Sequence, residues 1–131
     1  MTVQSRHPSV VIAAPPAVVS DFIRDPGNLP RWAEGLATVP VRVEADDLVI
    51  DTPMGEMRVR FVADNPWGIV DHDVTTPDGV TQNNPMRVLV HPQGFEVVIT
   101  VRQLALSDEE FDRDCAQVQS DLERLRALLE A

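Results

Sequence analysis

Apolar and polar positions alternate along the middle of this chain, and near its end the alternation gives way to a spacing of three and four. Period two marks half-buried strands, and the longer period marks a helix with one apolar face. Residues 6–13 (RHPSVVIA) read as a first strand. Ala14-Pro15-Pro16 then opens a short helix, because proline suits a first helical turn, and Val18, Val19, Phe22 and Ile23 give it an apolar side. Asp25-Pro26-Gly27-Asn28 breaks that helix, and a second short one follows through Leu29, Trp32 and Leu36. From Val39 to about Leu104 strand follows strand, with turn signals at Asp46-Asp47, Pro53-Met54-Gly55, Asp64-Asn65-Pro66-Trp67-Gly68, Thr76-Pro77-Asp78-Gly79 and His91-Pro92-Gln93-Gly94. Ser107 with Glu110 forms a capping box, and Asp108, Glu109 and Glu110 suit the positive end of a helix dipole. Phe111, Val118, Leu122, Leu125 and Leu129 make one stripe along the helix that follows, which at 23 residues would run ~35 Å.

The hairpins can be registered from these turns. A loop at 64–67 sets Arg60 opposite Asp71 and Arg58 opposite Asp73; a loop at 46–47 sets Arg42 opposite Asp51. Three charge-complementary cross-strand pairs mark one solvated face. Alternation then assigns Val43, Ile50, Met57, Val59, Phe61, Val70, His72, Val74, Met86, Val88, Val90, Phe95, Val97, Ile99 and Val101 to the inner face. With a loop at 76–79, Asn83 falls opposite His72 and Thr81 opposite Val74. Keeping Thr81 and Met86 both inward requires a bulge at Asn83-Asn84-Pro85, since proline cannot donate to a ladder. With the bulge Arg87 faces solvent; without it Arg87 enters the interior and is available to a carboxylate.

Composition narrows the function. The 131 residues suit one domain, 1–131, long enough for a core without disulfides or structural metal. Twenty valines favour strands. A net charge of −10 disfavours nucleic acid and anionic membranes. One cysteine, Cys115, excludes an internal disulfide, and its acidic neighbours in sequence do not favour a thiolate. No apolar stretch approaches the ~18 residues of a membrane span, and Pro15-Pro16 interrupt the only candidate for a leader. A cytoplasmic location, as monomer or homodimer, is expected.

The order strand, two short helices, six strands, long helix resembles the START-like SRPBCC superfamily of polyketide cyclase/dehydrase and lipid-transport proteins. The resemblance rests on VVIAAPPAVVSDFIRDPGNLPRWAEGL (10–36) and SDEEFDRDCAQVQSDLERLRALLE (107–130). The middle stretch TPMGEMRVRFVADNPWGIVDHDV (52–74) with NNPMRVLV (83–90) is similar to a bacterial branch of polyketide-cyclase-like proteins. The resemblance implies an α+β helix-grip fold, with a curved antiparallel sheet of about seven strands wrapped around the C-terminal helix. It also implies a ligand cavity between them, and no shared catalytic motif to carry over.

The expected ligand-binding residues are Trp32, Met57, Val59, Phe61, His72, Thr81, Asn83, Met86, Phe95, Val97, Val118 and Leu122. His72 is the candidate catalytic group, because a lone imidazole on an apolar wall beside Asn83 and Thr81 can orient a carbonyl or act as a base. The alternative is a core histidine satisfied by Asn83 or a water. Trp32 suits a half-wet cavity mouth, and Trp67, in a hairpin loop, suits the surface. Asp71-His72-Asp73 invites a metal reading, but alternation sends the aspartates and the histidine to opposite faces, so neither metal nor cofactor is expected. Three functions remain: a carrier or sensor for a small apolar or amphipathic molecule, a cyclase/dehydratase using His72, and an interaction module like the chaperone-activating relatives. A filled core would favour the last.

Overall fold

A computed structural model describes residues 3–34 and 36–131. Two strands open the chain, β1 (Ser5–Arg6) and β2 (Ser9–Ile12), followed by helix α1 (Pro16–Arg24), a 3-10 turn (Pro26–Asn28) and α2 (Leu29–Trp32). Eight strands come next: β3 (Arg42–Glu44), β4 (Asp47–Thr52), β5 (Gly55–Phe61), β6 (His72–Thr75), β7 (Thr81–Asn84), β8 (Met86–His91), β9 (Gly94–Ile99) and β10 (Val101–Arg102). The last element is α3 (Asp108–Glu130). The second short helix stops at Trp32, short of its expected end at Leu36; Gly35 lies outside the described residues.

The strand segments are the expected seven strands, three of them interrupted: at His7-Pro8 between β1 and β2, at Pro85 between β7 and β8, and at Thr100 between β9 and β10. One set runs β3-β4-β5-β6-β7 and another β2-β9-β8, with β1 beside β10. Pro85 marks the bend between the two larger sets, where a residue without an N–H costs the ladder nothing. Beyond the bend β8 pairs with the chain just before β6: Val70 N donates to Met86 O at 3.0 Å, and Val88 N to Gly68 O at 2.8 Å. The result is one curved antiparallel sheet.

Helix α3 carries the expected capping box, with Ser107 Oγ accepting from Glu110 N and Glu110 Oε1 from Ser107 N. It runs alongside β1 and β2 in the same direction. Three bonds fix that alignment: Arg6 to Asp112, Gln119 Nε2 to Ser9 O at 3.1 Å, and Ala13 N to Glu130 Oε2 at 2.9 Å. Phe111, Leu122 and Leu125 are buried; Val118 and Leu129 are partly so. Leu122 and Leu125, with Val118 and Leu129 packed against them, close a core with Val10, Ile12, Val59, Met86, Val88 and Val97 from the sheet and Val19, Ile23 and Trp32 from the short helices.

Three registers differ from expectation. The β3–β4 turn is Ala45-Asp46, so Arg42 pairs with Val49, and Ala45 takes a positive φ of 55° that its side chain does not advertise. Arg60 faces Asp73, and His72 faces Phe61 instead of Val59. Both slips are of two residues and leave the faces unchanged. The β6–β7 slip is of one residue: Thr75 pairs with Thr81, and Thr76 N donates to Val80 O, leaving a three-residue loop Pro77-Asp78-Gly79 with Gly79 at φ 87°. A one-residue slip reverses every side chain. Thr81 and Asn83 therefore face outward, Asn84 stands opposite His72, and no bulge is needed to keep Met86 inside. Val43 and Val90 share the parity of the inner face yet are exposed, one on the edge strand β3 and the other near the β8–β9 hairpin tip.

Candidate functional site

The row Phe61–His72–Asn84 crosses strands β5, β6 and β7 on the inner face. His72 is 7% exposed. Its Nδ1 lies 3.2 Å from Val70 O, and its ring centroid is 5.0 Å from that of Phe61 at a tilt of 48°. Burial pushes the imidazole pKa down, against smaller opposing effects of the Val70 carbonyl and of Asp71 and Asp73. The ring is therefore neutral at physiological pH, with one nitrogen committed to the backbone. That is a core histidine satisfied by main chain, next to a half-buried amide, Asn84, which the one-residue slip had hidden.

Asp71 and Asp73 leave on the opposite face, as alternation requires. Asp71 takes a two-pronged bond from Arg87 (Nε–Oδ1 3.0 Å, Nη2–Oδ2 2.8 Å) and a third from Met86 N. The Arg87 guanidinium holds its carboxyl below the usual carboxylate range. Arg87 thus faces outward without the bulge. Asp73 accepts from Asn83 Nδ2 at 2.9 Å, and Thr81 Oγ1 bonds Thr75 Oγ1 at 2.7 Å. Both residues assigned to the cavity belong to this outer network, with Arg42, Arg58, Arg60, Glu44, Asp47, Asp51 and Glu56.

Val59, Met86, Val97, Leu122 and Leu125 retain no accessible surface. A side chain lining a space wide enough for water would retain some, so these residues fill the interior between sheet and helix. Trp32 is 4% exposed and is part of that filling, not a mouth; its Nε1–H is buried with no acceptor among the described residues. Met57, Phe61, Phe95 and Val118 pack around the core only partly buried. Cys115 is buried, and Arg6, remote in sequence, stacks 4.5 Å above the Phe111 ring of the same helix.

Among the described residues, hollows stand open to solvent on both sides of the sheet edge. One, of about 250 Å³, lies on the outer face among Asp47, Arg58, Arg60, Asp73, Thr75 and Thr81. The other, of about 470 Å³, lies where the inner face runs out at the end of β5, lined by Arg24, Asp46, Leu48, Arg60, Phe61, Val62 and Ala63. Phe61 belongs both to this groove and to the row containing His72. Arg24, the last residue of α1, organises the groove wall: Nη1 donates to Val62 O at 2.6 Å, and Nη2 to Ala63 O at 3.3 Å and Ile69 O at 3.2 Å. Asn65 ties the same loop from within, through Ala63 O, Ile69 O and the amides of Trp67 and Ile69. Sequence reasoning missed Arg24 because its partners lie 38 to 45 residues away. Its one signal was a cation at the end of a short amphipathic helix.

No family model matches the chain, and no curated protein matches it in sequence. Solved structures do. The Bacillus halodurans protein BH1534 superposes with a TM-score of 0.74 at 16% identity, covering 99% of this chain and 100% of its own. The Aha1 dimer from Colwellia psychrerythraea gives 0.74 at 12%, covering 99% and 97%. Ara h 8.0201 gives 0.64 at 12%, covering 98% of both. The protein has the helix-grip fold. Identities this low carry the fold and nothing further. No helix among the described residues is long and apolar enough to cross a membrane.

Proposed function

We propose that the protein is a member of the START-like SRPBCC superfamily and that it binds a small apolar or amphipathic molecule as a cytoplasmic carrier or sensor. The observation that carries this reading is the 470 Å³ groove beside Phe61, an apolar-floored opening of ligand size at the end of the grip. The ligand sits in that groove, above the Phe61–His72 pair, instead of inside an enclosed cavity, because the space between sheet and α3 is occupied by protein side chains. Phe61 lines that floor, and His72 packs against Phe61 from the buried side.

The test is native mass spectrometry of the protein purified from its own host, alongside an Ala63→Trp variant. Ala63 is an exposed residue of the groove wall, so an indole there fills the groove without entering the core. A small molecule retained by the wild type and lost from Ala63→Trp is expected. A bare wild-type mass, or a ligand that Ala63→Trp retains, contradicts the reading. A second reading, an interaction module, is favoured by the filled core and by the likeness to the Aha1 dimer. It predicts a bare mass and association with a protein instead.

A further inference from the structure

The charge of the groove bears on what enters it. Arg24 is half-buried, yet none of the three groups its terminal nitrogens engage is a carboxylate; all are main-chain carbonyls. Its Nε–H is buried and has no acceptor among the described residues. A partly desolvated cation held only by dipoles, with one donor unspent, is short of both a counter-charge and an acceptor. Arg60, on the same wall, spends Nε on Asp47 at 2.7 Å. Asp46 is the one acid among the lining residues, against two arginines. With Arg60 answered by Asp47, Arg24 is the arginine of this hollow that meets no carboxylate among the described residues, in a chain with 21 acidic and 11 basic side chains. Its remaining walls, Leu48, Phe61 and Val62, are apolar, and Phe61 lies 5.9 Å from the Arg24 guanidinium.

Resting on the groove reading above, we infer that the site selects a small amphipathic anion, a carboxylate joined to an aromatic or short aliphatic body. The carboxylate would lie at the Arg24 end and the apolar body against Phe61, Leu48 and Val62. A carboxylate supplies the missing counter-charge, and guanidinium–carboxylate contacts are the strong, directional kind. The strongly negative remainder of the protein makes this preference depend on short-range contact and not on long-range attraction.

The test compares 1-naphthylacetate with 1-naphthylacetamide, probes of nearly the same shape that differ in charge, by isothermal titration calorimetry on the full chain. The carboxylate is expected to bind about tenfold more tightly, as one charge-assisted contact allows. Arg24→Gln should abolish that difference. Because Arg24→Gln also removes loop bonds, Arg24→Lys, which keeps the charge, serves as the second variant and should retain part of the carboxylate's advantage. Equal affinities for the two probes, an advantage that survives Arg24→Gln, or an advantage that Arg24→Lys loses as fully as Arg24→Gln, overturn the inference and leave the groove standing as an apolar site. Binding of neither probe, or binding that Ala63→Trp does not reduce, overturns the groove itself.

Discussion

Truncating Leu125 to alanine tests the packing on which the filled interior rests. Leu125 retains no accessible surface and lies on the stripe of α3 that meets the sheet and the short helices. Leu122 lies less than one turn before it on the same stripe and is equally buried. Removing three carbons, a methine and its two methyls, from such a position costs the transfer free energy of those atoms plus the cavity they leave, together about 2–5 kcal/mol. The upper half of that range is expected here. The surroundings are held on three sides: by the β2 ladder, by the bonds tying α3 to β1 and β2, and by the Arg124–Glu34 ion pair between α3 and the segment after α2. They have little freedom to collapse. With a urea slope of about 2 kcal/mol/M for a domain of this size, a loss of about 3.5–5 kcal/mol lowers the unfolding midpoint by about 1.7–2.5 M. Leu128→Ala, at a half-buried position one turn on, should cost less than half as much. An equilibrium urea titration followed by far-UV circular dichroism reads both variants. A Leu125→Ala midpoint within about 0.3 M of wild type, with an unchanged slope, would mean that the interior is not filled as described, and the case for an external groove would fall with it.

Gly68→Ala should cost at least about 2 kcal/mol, since Gly68 has φ 71° and a Cβ there would overlap the carbonyl oxygen of Val88; an unchanged melting temperature would refute the β8 pairing. Arg60→Glu with Asp47→Arg should recover most of what Arg60→Glu loses, a coupling of up to about 1 kcal/mol, whereas Arg60→Glu with Asp71→Arg should recover nothing. The reverse result in that double-mutant cycle would restore the register expected from the turns. His72 sets a pH dependence. Its folded pKa is depressed by burial, so the unfolded chain takes up a proton first as pH falls below about 6.5, and stability declines from there downward. His72→Leu should flatten the decline between about pH 6.5 and 5, measured by chemical denaturation across pH, before the depressed carboxylates Asp47, Asp71 and Glu110 titrate at lower pH. A slope identical to wild type would show that His72 is solvated.

Sequence pattern alone placed the helices, the seven strands and the long C-terminal lid, because each depends on local signals: the Pro15-Pro16 start, the Ser107–Glu110 box, the run of alternating valines. The site was less legible, and the reason is arithmetic of register. A turn misplaced so that the ladder slips by two residues changes partners and preserves faces. That happened at Ala45-Asp46 and in the loop after β5, and Arg58, Arg60, Val59 and Phe61 kept their sides. A ladder that slips by one changes sides and preserves nothing. Reading Thr76-Pro77-Asp78-Gly79 as a four-residue loop, where the chain makes a three-residue one, exchanged Asn83 for Asn84 beside His72 and sent Thr81 into an interior it does not reach. The groove was hidden for a different reason. Arg24 finds its acceptors on a loop closed by tertiary structure, and no periodicity within α1 or β5 records that the two will meet. Strand alternation could show that the wall has an inside, but the chemistry that could choose a ligand was left to a cation outside the sheet.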